Sequence, residues 1–133
     1  FIFQGDEIGM TNQKFSSMDQ IRDIESLNYY QELLKSMDEG QAFQKVLAGS
    51  RDHARVPMQW DASVNGGFST VEPWILGDGS FLEKNVESER KNDEGIFHFY
   101  QKMIALRKQY PAFSYGSTKY DKPKKKDIFC YVR

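Results

Sequence analysis

The spacing of apolar positions changes four times along this chain. Residues 1–3 are Phe-Ile-Phe, closed off by Gly5. A short unbroken apolar run of that kind predicts a strand buried on both faces, as in a parallel sheet. Met18, Ile21, Ile24, Leu27, Tyr30, Leu34 and Met37 then step by threes and fours. With Asp19 near the start and Gly40 as the stop, they predict one long helix over residues 19–37. A shorter helix is predicted where Phe43, Val46 and Leu47 share a face. Periodicity then vanishes: nine of residues 57–83 are Gly, Asn, Asp or Pro, which predicts an irregular loop. The strongest stripe follows over residues 92–110, formed by Ile96, Phe99, Tyr100, Met103 and Ile104. Asn92, Asp93 and Glu94 sit at its positive end, Arg107 and Lys108 at its negative end, and Pro111 lies beyond. The tail predicts strands at 113–120 and 128–132 around a lysine-rich turn, with Pro123 favouring the turn. No internal repeat is present.

Composition narrows the function classes. A length of 133 residues suits one modest domain, and a net charge of −1 gives no bulk attraction to nucleic acid or membrane. Lys119, Lys122, Lys124, Lys125 and Lys126 form a basic cluster, but no aromatic platform accompanies it and the chain has no basic excess. A solvated hairpin tip is the expectation. The single Cys130 excludes an internal disulfide, and no apolar run approaches the ~20 residues of a membrane span. No leader is visible, so a cytoplasmic location is expected. No cluster of His, Cys and Asp at ligand spacing and no Gly-rich phosphate loop occurs, so neither metal nor cofactor is expected. His98 is expected to be an exposed or rim residue.

The densest candidate chemistry lies in residues 50–61, Ser-Arg-Asp-His-Ala-Arg-Val-Pro-Met-Gln-Trp-Asp. An arginine presents five donors in a rigid, permanently charged fork, which suits gripping neighbouring hydroxyls of a sugar or a carboxylate already in a pocket. Arg51 and Arg55 are four apart, so a helical turn would place them on one face. The bland reading is a helix end held by ion pairs, with Arg51 paired to Asp52 or Glu25.

What raises the segment above that is its company. Gln-Gly-Asp-Glu-Ile-Gly-Met-Thr-Asn at 4–12, Asp-Ile-Glu-Ser-Leu-Asn at 23–28, the 50–61 run and Gly-Phe-Ser-Thr-Val-Glu-Pro-Trp at 67–74 occur in that order. With Phe-Tyr-Gln-Lys-Met-Ile-Ala-Leu-Arg-Lys at 99–108 and Phe-Cys-Tyr-Val-Arg at 129–133, they closely resemble the α-glucosidases of glycoside hydrolase family 13. The branch resembled is that of the oligo-1,6-glucosidases and dextran glucosidases.

The resemblance implies a late fragment of a (β/α)8 barrel: eighth strand, long βα loop with helices, and eighth helix, over residues 1–112. The start of an all-β C-terminal domain would follow at 113–133, and the isolated chain would be mostly helical and irregular. An insertion of this length in a barrel implies a functional loop over the catalytic face. The implied activity is retaining hydrolysis of α-1,6 or α-1,4 linkages in short gluco-oligosaccharides. Retention needs two carboxyl groups roughly 5–5.5 Å apart. Neither they nor the family's helper aspartate has a counterpart here, so no catalytic residue is assigned and the isolated chain is expected to be inactive. The oligosaccharide is the expected partner of the longer protein, whereas the isolated chain is expected to fray at its N-terminal segment or self-associate.

Residue by residue, the resemblance places Arg51 on hydroxyls of the terminal glucose and Glu25 on the leaving-group sugar. Arg55 is expected to hold the scaffold, and Asp6 and Glu7 to anchor their loop. Trp60, Phe68 and Trp74 are expected to form a small private core for the long loop. His53 stands where relatives usually carry asparagine, and Val56 where they carry threonine; neither change touches Arg51, and both leave the exact hydrogen bonds around it open. A trehalose-6-phosphate hydrolase, or a non-catalytic relative such as a transporter-subunit ectodomain, is the alternative.

Overall fold

The structure, a computed structural model, describes residues 2–122 and 125–133. The predicted roles of Phe1, Pro123 and Lys124 therefore lie outside the described residues. Among the described residues, five α-helices and two strands are joined by irregular chain with short 3-10 turns. They are α1 (Ile24–Leu33), α2 (Glu39–Leu47), α3 (Val86–Lys91), α4 (Ile96–Gln109), α5 (Ala112–Tyr115), β1 (Lys119–Asp121) and β2 (Cys130–Val132). The two strands pair antiparallel, with Tyr120 opposite Tyr131.

The predicted helix over 19–37 is broken, and the break has an identifiable cause. Met18–Gln20 is a single 3-10 turn, and α1 begins only at Ile24. Between them the backbone N–H groups of Arg22 and Asp23 donate to Oδ2 of Asp52, at 2.6 and 2.9 Å. Amides committed to a distant carboxylate cannot close helical rings, so Asp23 becomes the N-cap instead and accepts from the Ser26 N–H. Gly40 is no stop either: it sits in the first turn of α2, whose N-cap is Asp38.

Two small apolar clusters hold the first two-thirds of the chain. Phe15, Ile21, Val56 and Ile75 form one, with Met10, Leu27, Phe43 and Leu47 packed around it. Leu33, Ala42 and Val46 form the other, where α1 meets α2. The expected private core of Trp60, Phe68 and Trp74 is not there; all three are at least half exposed. Pro57 to Pro73 is instead pinned by backbone bonds such as Trp60 N–H to Gly66 C=O at 2.7 Å, which fix the chain without burying its large side chains.

Of the predicted strand at 1–3, only Ile2 and Phe3 are described, and they are not extended into a strand. Ile2 and Phe3 belong to no ladder and are about half exposed, because no other strand lies alongside among the described residues. The predicted helix over 92–110 starts later, at Ile96. Residues 86–91, not anticipated as a helix, form α3 behind an Asn85–Ser88 capping box. Glu89, nearly buried, accepts from the Ile96 N–H and so joins α3 to the start of α4. His98 Nε2 does the same by donating to the Arg90 carbonyl at 3.1 Å.

At the other side, α4 rests on the Asp6–Ile8 turn. Gly9, at φ 66°, leaves room for Ile96: a Cβ there would meet the Ile96 methyl at 2.4 Å. The two periodic helices thus pack mainly on different neighbours, α1 on α2 and α4 on α3, and not on each other as expected. In the tail, residues 112–115 are helical, so the first strand shrinks to Lys119–Asp121 and the second to Cys130–Val132. No helix of the described residues is long and apolar enough to cross a membrane.

Candidate functional site

Asp52 is the hub of the site. It sits on the 3-10 turn Arg51–Ala54, whose N-cap Ser50 accepts from the Asp52 N–H. Its side chain is fully buried. A carboxylate in that position must have its acceptors filled. Oδ2 takes the Arg22 and Asp23 amides, and Oδ1 takes Nη1 of Arg55 at 3.2 Å. The two segments that carry Glu25 and Arg51 are thereby locked together.

Asp23 is the second hub. Its Oδ1 accepts from Arg51 Nε at 3.2 Å, from Arg51 Nη2 at 2.7 Å and from Arg55 Nη1 at 3.2 Å. Its Oδ2 accepts from Ser26 Oγ at 2.9 Å, which leaves Ser26 Oγ to accept from the Ser50 hydroxyl at 3.2 Å. The Arg51 hydrogen bond, aided by Ser26 and working against burial, holds the Asp23 carboxyl at about 2, well below its ordinary value. The same bond raises Arg51 further above its already high value.

Arg51 itself is half exposed. Glu25, in the first turn of α1, approaches its Nη2 to 3.1 Å and is 74% exposed. The predicted pair Arg51 and Glu25 therefore does come together in space. Arg51 Nη1 donates to no group among the described residues, so one arm of the fork is held by Asp23 and Glu25 and the other is available. Arg55 spends Nη1 on both buried aspartates and is a structural brace.

Sequence reasoning missed Asp23 and Asp52 as organising groups. A signal existed: Asp23 precedes Ser26 by three, the spacing of an N-cap, and each acid lies within a segment already singled out. Nothing local reveals that Asp52 would reach back 29 and 30 residues for backbone amides.

Asp6 and Glu7 anchor their own loop, accepting from the Phe3 and Gly5 amides at 2.9 and 2.8 Å. Beside this loop a cleft of about 380 Å3 runs between residues 3–12 and the Arg51 turn, lined among others by Gln4, Asp6, Asn12, Ser50 and His53. Among the described residues, no group of three or more His, Cys, Asp or Glu side chains could hold a metal ion.

A half-free guanidinium on a rigid acid frame, beside an exposed carboxylate, offers both donors and acceptors to a polar ligand. Comparison with known proteins gives it a family. Residues 1–116 match the family described as alpha amylase, catalytic domain, and the chain belongs to it. It is 44% identical over 137 residues to an oligo-1,6-glucosidase of Bacillus cereus, covering 100% of this chain and 24% of that protein. It is 40% identical over 134 residues to a trehalose-6-phosphate hydrolase of Bacillus subtilis (strain 168), with the same coverages. The crystal structure of the trehalulose synthase MutB from Pseudomonas mesoacidophila MX-45 matches with a TM-score of 0.92 at 36% identity, over 100% of this chain and 24% of that one. The chain spans about a quarter of the length of these relatives and corresponds to part of their (β/α)8 barrel fold.

Proposed function

We propose that this chain is the late segment of a retaining α-glucosidase that hydrolyses α-1,6 or α-1,4 linkages of short gluco-oligosaccharides from the non-reducing end. Residues 1–112 are then the close of the catalytic barrel, and residues 113–133 the first hairpin of a C-terminal β domain. Arg51 grips hydroxyls of the terminal glucose and Glu25 those of the leaving-group sugar. The observation that carries this reading is the divided guanidinium of Arg51. Nε and Nη2 are fixed on Asp23 while Nη1 is left for an incoming acceptor. A clamp fixed beforehand spends little of its binding energy on ordering itself.

The nucleophile and proton donor belong to segments outside this chain, so the isolated chain binds at most and does not turn over. A trehalose-6-phosphate hydrolase is the second reading, favoured by the 40% identity over the whole chain. Assaying the longer protein on isomaltose and on trehalose 6-phosphate separates the two.

In the longer protein, Arg51→Ala lowers kcat/KM on an aryl α-glucoside about 10–1000-fold, the loss of one or two charge-assisted hydrogen bonds. Glu25→Gln costs more on isomaltose than on the aryl glucoside, whose leaving group has no hydroxyls to offer. A folded Arg51→Ala enzyme with normal kcat/KM would refute the clamp.

A further inference from the structure

We propose that His53 is a positioning residue for Arg51, acting as the neutral Nε2–H tautomer; the inference rests on reading Arg51 as the sugar clamp. His53 lies two residues from Arg51 in the same four-residue turn. Its Nε2 is 2.9 Å from the carbonyl of Leu47, the last residue of α2. A carbonyl only accepts, so Nε2 carries the hydrogen. The bond occupies one of the carbonyls that a helix leaves open at its end. The imidazole also leans on the Phe15 ring, 5.3 Å between centroids, and Phe15 belongs to the larger apolar cluster.

The turn that bears Arg51 is thus tied on three sides. Asp52 ties it to the start of α1, Ser50 to Ser26, and His53 to α2 and the core. His53 Nδ1 is buried and meets no donor among the described residues. A buried orphan acceptor is a cost, and it persists here because turning the ring to satisfy Nδ1 would give up the Leu47 bond. The imidazole is therefore held at a fixed tautomer and angle by the bond that anchors the turn. A ring that merely filled space would need neither nitrogen.

The test uses three variants and two readouts. Gln places an amide N–H about as far from the backbone as Nε2 does. Asn is too short to reach, and Phe keeps the ring against Phe15 without the donor. In the 15N-labelled chain, His53 gives the signature of a protonated Nε2 and a bare Nδ1. It is separated from the other histidine by a His98→Gln control. His53→Phe and His53→Asn move the Arg51 Nε–H resonance, and His53→Gln restores it. In the longer protein, Phe and Asn lower kcat/KM about 3–10-fold, the size of one neutral hydrogen bond, while Gln retains most of it.

A protonated Nδ1, or an Arg51 Nε–H resonance and kcat/KM indifferent to His53→Phe, overturns the proposal. Retained activity in Arg51→Ala would refute the clamp reading separately, because the Arg51 resonance in the isolated chain still reports whether His53 sets the turn.

Discussion

Residues 8–91 and residues 96–133 solve the same problem with unequal means. Among the described residues, the first region contains every buried apolar side chain, from Ile8 to Ile75, and every buried charge, from Asp23 to Glu89. The second contains α4, the longest helix among the described residues, yet none of the residues of α4, α5, β1 or β2 is buried. Of the predicted stripe, Ile96, Phe99, Met103 and Ile104 remain 39–59% exposed, and Tyr100 is only partly buried. Periodicity reports which face of a helix wants burial; it does not report whether the partner is in the same chain. The irregular region, with the weaker local signal, is the one that closes on itself. Its backbone is held by buried carboxylates, and Arg51 is built on that frame.

The comparison can be broken by truncating equivalent side chains in the two regions. Phe15→Ala removes a ring from the larger cluster and costs about 3–5 kcal/mol, read as a lower urea midpoint. Phe99→Ala removes a ring that is 59% exposed and changes stability by under about 0.5 kcal/mol. Equal losses would mean that α4 is buried in solution by something else, a second copy being the first to test by light scattering.

Asp52→Ala tests the carboxylate frame. It leaves the Arg22 and Asp23 amides without their acceptor and Arg55 with one partner fewer, and removing one member of such a buried network costs about 3–5 kcal/mol. Loss of the near-ultraviolet signal of the core, with α4 helicity retained, is the expected pattern.

Acid gives a smaller and graded effect. Folding lowers the Asp23 carboxyl from 3.8 to about 2. Below pH 4 the unfolded chain takes up this proton more readily than the folded one. The stabilisation is therefore complete above about pH 4 and is lost as pH falls toward 2. Asp23→Asn should flatten that part of the urea midpoint against pH and lower the midpoint above about pH 5, where the wild-type carboxylate contributes in full.

How much was legible in the sequence divides along the same line. α2, α4 and the irregular character of 57–83 followed from local spacing, because each is set by residues within a few positions of one another. Arg51 and Glu25 were legible as an ion pair from their charges, and the structure shows that pair at 3.1 Å; only the resemblance of their segments suggested a sugar between them. The break before α1, the N-cap role of Asp23 and the hub role of Asp52 were not legible. All three come from side chain to backbone bonds that span 29 and 30 residues. The misplaced core of Trp60, Phe68 and Trp74 has a related cause: aromatic content signals a wish for burial, while small backbone turns around Gly66 had already fixed those positions outside.

Native-state hydrogen exchange on the 133-residue chain tests the central claim most directly, that residues 8–91 form the self-sufficient frame of Arg51 and residues 96–133 do not. The account predicts that amides of Asp23, Ala42, Val46 and Arg55 exchange slowly and together, at the free energy of global unfolding, whereas those of α4 and the hairpin exchange by separate, lower-energy openings. Protection in α4 equal to that of Ala42 and Val46, or rapid exchange at Asp23, would contradict it.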